Sequence, residues 1–338
     1  MMEIEIGWSE GITVATKEYV IRFDPYTKGG PNAHNFVSHA HGDHIMGLSN
    51  ESKIYLTAET DDLLFFGGRK RFEIHSSLKY GEEINFDDLK ITAHNAGHIL
   101  GSAQFEIQSP ESSIVYTGDI NCRNMLTTTT AEAIPCDILI LETTYGSPSY
   151  VFPSLEEIYT EIVDWIIGQI HEEKMPVFRV YSTGKAQEII RLINEFTTAP
   201  VVTHPVVSRI SKAYEKNGVK LTYIDSNSAE GGELLKSRQC VYVTPNHEET
   251  PIEENHALAI ATGWAVRSKP SNVDVAFPLS SHADFSQLLN YVEQVKPKRV
   301  YTIHGFRDDF GHYIQRKLGI RAQPIIPLSQ KQQKSISC

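Results

Sequence analysis

Six consecutive residues, His39 to His44, read HAHGDH and follow the short apolar patch NFV at 35–37. Three imidazoles and a carboxylate in one short turn serve neither a buried core nor an ordinary solvated loop. Imidazole nitrogens combined with carboxylates suit zinc, manganese or iron far better than calcium. One turn cannot complete a metal site, so the other donors must come from distant parts of the chain. This requires a fold that brings several strand ends to one place.

The remaining candidates share that placement, each after a stretch that reads as a strand. ITAHNAGHILG offers His98, SIVYTGD offers Asp119, RVYTIHG offers His304, and VIRFDP puts Asp24 at a strand end. His39, His41, Asp43, His44, His98, Asp119 and His304, with one carboxylate shared, would fill two adjacent ions. Open positions would remain for water and substrate, the arrangement that two-metal hydrolysis needs. His34, His75, His94 and His171 stand alone and read as surface or hydrogen-bonded histidines.

The first 120 residues read as short strands and turns: MEIEI, GITVAT, EYVIRFD, KIYLT and LKITAHN, with KYGEEINFDD as a polar hairpin and QFEIQS/SIVYTGD as another across PES. CDILILET is a continuous apolar run of strand length, as expected of a strand buried on both faces. Near Tyr150 the pattern changes. Ser154 with Glu157 forms a capping box ahead of a helical apolar stripe from Leu155 to Ile170. Strands MPVFRVYS, APVVTH, QCVYVT and HALAIAT then alternate with helices over TGKAQEIIRLINEF and VSRISKAYEKNG. This alternation predicts a small α/β unit with a parallel sheet over about residues 150–265. VDVAFPLS, the helix DFSQLLNYVEQV and the strand RVYTIH return to the first pattern. TTTT at 127–130 reads as a loop.

With 338 residues and 41% hydrophobic side chains the chain can bury a sizeable core, and two domains are the default expectation. The net charge of −11 argues against a chain-wide basic surface, although a local groove and bound cations can reverse the local potential. No apolar run reaches a membrane span and the start has no signal-peptide pattern. The four cysteines form no CxxC pair, and Cys338 reads as a free tail thiol. A reducing cytoplasmic location and no membrane partner are therefore expected. Nothing in the pattern fixes an oligomeric state.

HAHGDH resembles the HxHxDH signature of the metallo-β-lactamase superfamily, and the later AGHILG and TGD strings resemble its next motifs. Glu142 in LETTYG, His282 in LSSHADFSQLL and His304 in YTIHGF resemble motifs A, B and C of the β-CASP nucleases. GKAQ at 184–187 and the Gly263-Trp264 pair are similar to the DNA-ligase-associated exonuclease branch, in which an Asp stands where this chain has Ser281. The resemblance implies an α/β fold: an αββα metallo-β-lactamase sandwich with an inserted α/β β-CASP cap domain. The sandwich would comprise 1–150 and 264–338, and the cap 151–263.

It also implies roles. His39, His41 and His98 would hold one ion; Asp43, His44 and His304 the other; Asp119 would bridge; and Asp24 would orient the site from behind. Two divalent ions, zinc first with manganese or iron as alternatives, would generate hydroxide near neutral pH. The metal charges would offset charge on the phosphoryl oxygens. His282 would protonate the leaving 3′ oxygen, with Glu142 orienting it. Asp43, Asp119, Glu142 and His282 are thus the catalytic candidates.

Ser182, Thr183, Gly184 and Lys185 open a helix whose N-terminal amides can receive a phosphate, with an ordinary helix cap as the alternative. GxxxxGK[ST] is absent, so this is no Walker motif. Arg179, Lys185, Arg209, Lys212 and Arg267 are basic candidates for a nucleic-acid track, or scattered solvated charges. The expected function is a nuclease hydrolysing single-stranded nucleic acid, DNA ahead of RNA, with a DNA exonuclease in repair and a DNA ligase or repair assembly as its setting. The alternatives are an RNA exo- or endonuclease of the mRNA 3′-end processing type, a small-molecule hydrolase on the same metal core, and a non-catalytic nucleic-acid-binding subunit.

Overall fold

A computed structural model describes residues 4–30, 32–69, 72–248 and 255–328. Cys338 lies outside the described residues. Cys122, Cys136 and Cys240 are free thiols.

The first sheet runs β1 (Glu5–Trp8), β2 (Ile12–Ala15), β3 (Val20–Phe23), β4 (His34–Phe36), β5 (Lys53–Thr57) and β6 (Ile74–Leu78), in sequence order, with helix α1 (Ala58–Phe66) after β5. The second sheet begins with β7 (Glu83–Phe86), β8 (Leu89–Asn95), β9 (Ala103–Gln108), β10 (Ser113–Tyr116) and β11 (Ile138–Glu142). The expected polar hairpin over 79–88 is placed differently. Its strand β7 pairs with β8, and the reversal falls at Asp87-Asp88, with Asp87 at φ 46°.

The insert follows as α2 (Leu155–His171), β12 (Met175–Val180), α3 (Lys185–Phe196), β13 (Val201–Thr203), α4 (Pro205–Lys216), β14 (Ile224–Asp225), α5 (Ala229–Ser237), β15 (Val241–Pro245), β16 (His256–Ala261) and β17 (Val275–Phe277). Its sheet is parallel throughout, in the order β14-β13-β15-β12-β16-β17. The capping box at Ser154 and Glu157 starts α2 as its sequence predicts. The sequence expectation ended the insert at residue 263. The same sheet continues to Phe277, because Ala259–Ala261 pairs in parallel with Val275–Phe277. The chain then forms α6 (Phe285–Val295), β18 (Arg299–Ile303), α7 (Arg307–Leu318) and β19 (Arg321–Pro324), and β18 and β19 complete the second sheet beside β11.

Apolar faces of the first two sheets meet around Phe23, Phe36, Phe105 and Tyr116, with the Phe23 and Phe105 rings 5.5 Å apart. Helix α1 residues cover the outer face of the first sheet and α6 and α7 residues that of the second, so the layers read αββα. The insert has its own core around Phe178, Ile189, Ile190 and Val243. Helix α4 and Glu188 are among its ties to the sandwich. Helix α4 packs Ile210, Ala213 and Tyr214 against Leu63 and Ile99. The buried Glu188 carboxylate accepts from the backbone N–H groups of Leu126 and Thr127, the Thr127 hydroxyl and the Tyr159 hydroxyl.

Helices α1, α5 and α7 were not expected from periodicity. Few of their apolar residues reach the core: Leu63 and Leu64 in α1, and Phe310 and Ile314 in α7, while α5 buries only Gly231. Among the described residues no helix is long and apolar enough to cross a membrane.

Candidate metal centre

Strands β10, β11 and β18 are parallel neighbours, and β8 runs in the same direction through two antiparallel pairings. Their carboxyl ends therefore deliver His98, Asp119, Glu142 and His304 to one edge of the second sheet. In the first sheet, parallel β3 and β4 end just before Asp24 and Ser38-His39. The two edges meet where Gly118, at φ 54°, places its backbone so close to Ser38 that a Cβ would lie 2.6 Å from the serine Cβ. This contact brings Asp119 against the HAHGDH turn, whose residues Gly42–His44 form one turn of 3-10 helix.

The outer nitrogens of the three innermost histidines are all engaged. His98 Nδ1 donates to the Ser281 carbonyl at 2.8 Å, and His41 Nε2 to the Thr183 carbonyl at 3.3 Å. The Ser38 hydroxyl donates to Asp24 at 2.6 Å, so it accepts from His39 Nδ1 at 2.9 Å. Each remaining ring nitrogen is then a lone pair turned inward. His39 Nε2 lies 3.0 Å from His41 Nδ1, and His98 Nε2 lies 3.1 Å from the same atom. Asp119 Oδ2 is 3.6 Å from His39 Nε2 and 3.7 Å from His98 Nε2. Converging lone pairs and a carboxylate repel one another unless a cation lies between them, so this donor set fits a divalent ion. Burial holds His39 and His98 well below the usual imidazole range and His41 down at about 4, so all three rings are neutral at pH 7.

A second group shares Asp119 and adds His44 and His304, with one donor atom from each within 4.8 Å of the others. His304 holds a left-handed backbone at φ 58°. Asp24, also left-handed at φ 48°, accepts from the Ser38 N–H and hydroxyl, the Tyr116 hydroxyl and His44 Nδ1. Its bond to His44 turns Nε2 toward Asp119, 3.5 Å away. Burial opposes charge on His44, but Asp119 and Asp24 outweigh it and push the pKa up to about 10. Asp43 is not drawn into either group; its carboxylate is largely exposed, 3.6 Å from His44 Nε2.

His282 and Glu142 form a third group with Asp119. Glu142 is fully buried and accepts from the backbone N–H groups of Ile120 and Thr144 and from His282 Nδ1, the last at 2.9 Å. His282 Nε2 therefore faces the site, 3.9 Å from Asp119 Oδ2. Burial opposes the His282 charge, yet Glu142 and Asp119 raise its pKa above the ordinary value.

The cleft over these residues encloses about 420 Å³. Of the predicted substrate residues, Thr183 and Lys185 line it, whereas Ser182 and Gly184 do not. Gly184 sits at φ 87° with its backbone against Ile99, where a Cβ would lie 2.4 Å from Cγ2. Lys185 is buried, donates to the Leu279 carbonyl at 2.8 Å, and has its pKa pulled down by burial to about 7. Among the five basic track candidates it alone lines the cleft.

The lone histidines behave as expected: His34 bonds the Tyr55 hydroxyl, His94 pairs with Glu106 and Glu132, His75 lies edge-on to Tyr55, and His171 closes α2. Sequence reading missed Tyr145 and Tyr181, and it noted Trp264 only as half of a Gly-Trp pair. All three line the cleft. The available signal was their position just after apolar strands.

Residues 45–130 match the metallo-beta-lactamase superfamily domain and residues 275–324 the Zn-dependent metallo-hydrolase RNA specificity domain. The chain is 32% identical, over 87% of its length, to a probable DNA ligase of Opitutus terrae, of which it spans 30%. It is 25% identical to an RNase J-like protein of Methanocaldococcus jannaschii, covering 80% of this chain and 81% of that one. It is also 26% identical to cleavage and polyadenylation specificity factor subunit 3 of Dictyostelium discoideum, covering 86% and 45%. A crystal structure of an Enterococcus faecalis protein of unknown function shares the fold at TM-score 0.68 and 16% identity, over 97% of both chains. The chain belongs to the metallo-β-lactamase superfamily of metal-dependent hydrolases, within its β-CASP group.

Proposed function

We propose that the chain is a two-metal nuclease that hydrolyses phosphodiester bonds of single-stranded nucleic acid. The observation that carries this reading is the His282–Glu142 pair, whose free Nε2 faces Asp119 beside the two donor groups. His39, His41, His98 and Asp119 would hold one ion. His44, His304 and Asp119 would hold the other, with Asp43 as its further ligand. When bound, the ions supply an activated water and charge neutralisation at phosphorus.

The protein's own residues do the rest. His282 keeps its Nδ1–H on Glu142 and passes the Nε2 proton to the leaving 3′ oxygen. Glu142, pinned by two backbone amides, keeps the ring from swinging away. Thr183 and Ser281 hold the outer nitrogens of His41 and His98, and Thr183 so ties the insert to the geometry of the donors.

DNA is the first polymer, because the ligase relative is the more similar one. RNA is the second reading, favoured by the domain matched at 275–324 and the RNase J-like relative. Zinc-loaded protein incubated with single-stranded DNA and RNA, each labelled at one end, tests this. Stepwise shortening of DNA is expected. Preferential cutting of RNA would move the chain to the second reading, and failure to cut either polymer would overturn the proposal.

A further inference from the structure

From β12 the chain leaves through α3 toward β13 and β14 on one side of the insert's sheet, while from neighbouring β16 it leaves toward β17 on the other. Adjacent parallel strands whose connections diverge open a crevice at their carboxyl ends, and open α/β sheets bind ligands there. Here that crevice opens onto the metal centre. Tyr181 directly follows β12, and Trp264 lies in the short 3-10 turn Gly263–Val266 after β16.

Both rings line the cleft, yet they are 58% and 42% exposed, an unusual cost for large aromatic faces unless something covers them. They stand at the ends of a chain of ring contacts across the cleft floor. Tyr181 is 6.5 Å from His41, His41 5.0 Å from His98, His98 4.5 Å from His282, His282 5.9 Å from Tyr145, and Tyr145 4.7 Å from Trp264. Trp264 is held in place. Gly263 lets the backbone lie on Tyr145, where a Cβ would be 2.5 Å from the ring, and Tyr150 packs at 5.1 Å from Trp264 with its ring nearly perpendicular.

We propose that Tyr181 and Trp264 are stacking platforms for nucleobases flanking the scissile bond, so that the insert reads unpaired bases by their faces and not by their edges. The inference rests on the nuclease reading and refines its substrate. An unstacked, single-stranded base presents the flat face these rings need, whatever its identity. A base in a duplex has its faces already covered. The platforms therefore select single strands, tolerate any sequence, and lose their grip on a strand without bases.

The test uses zinc-loaded wild type, Trp264→Ala, Trp264→Phe and Tyr181→Ala. Each receives fluorescein-labelled oligothymidylate and the same strand carrying abasic residues, and both binding anisotropy and chain shortening are read. The expected result is a roughly tenfold higher KM and Kd for each alanine variant on the intact strand, with near-normal values for Trp264→Phe. On the abasic strand, wild type and variants should be equal. Wild type binding the abasic strand as tightly as the intact one would overturn the proposal. So would an alanine variant losing as much on the abasic strand, which would mark a structural defect. Base-dependent binding without shortening would sink the nuclease reading alone; shortening without base dependence would sink the stacking proposal alone.

Discussion

On the floor of the cleft His39, His41 and His98 turn ring nitrogens toward Asp119, each histidine with an outer partner that fixes its direction. In the wall built by the insert, Thr183 acts through its carbonyl, Gly184 through lacking a Cβ, and Tyr181 and Trp264 through exposed ring faces. On the proposed reading the floor holds cations and the wall holds a flexible polymer. Chemistry and recognition are thus assigned to different parts of the chain, and removing a floor residue should stop the reaction where removing a wall residue only loosens the substrate.

The largest expected effect is that of Asp119→Ala. Its carboxylate is common to all three donor groups, so activity should vanish and bound metal should fall, as elemental analysis would record. Retained full activity would break the two-metal assignment. His282→Ala should slow cleavage about 10²–10⁴-fold, the usual contribution of a positioned acid, while metal content stays normal. Loss of metal in that variant would make His282 a ligand and place it with the floor.

Glu142→Gln should cost less, about 10–100-fold, as for other residues that orient a functional group from behind. It should also leave a pH signature. Burial opposes the His282 charge and Glu142 is the leading influence that raises its pKa. Without that carboxylate His282 gives up its proton at lower pH, so the alkaline limb of the rate profile should move downward. A limb that stays in place would remove His282 as the acid. Gly184→Ala forces a side chain into a left-handed backbone and against Ile99, at a cost of about 1–3 kcal/mol. A lower Tm and a raised KM with kcat nearly kept would sharpen the contrast; a large kcat loss would show that the wall sets the floor's geometry.

Most of the floor was legible because its donors are chemically distinctive and follow apolar strand runs. HAHGDH, GH, TGD and IHG could be read without knowing which strands pair. Asp43 shows where residue type stops helping, since it lines the cleft beside His44 yet lies outside the tight donor groups. The wall was less legible. Thr183 contributes a backbone carbonyl, which no residue type advertises, and the pairing of β12 with β16 that brings Tyr181 and Trp264 to one cleft spans some eighty residues. The α/β alternation predicted the insert's sheet but not its extent. β17 is short and joins after an irregular stretch, so pattern alone returned it to the sandwich.

The most direct test of the central claim measures metal stoichiometry and strand shortening on the same samples as zinc is titrated into the chelator-stripped protein. The account predicts two ions per chain, with shortening of single-stranded DNA or RNA rising as the second binds and both lost in Asp119→Ala. Full cutting by the stripped protein, or two bound ions with neither polymer shortened, would contradict it.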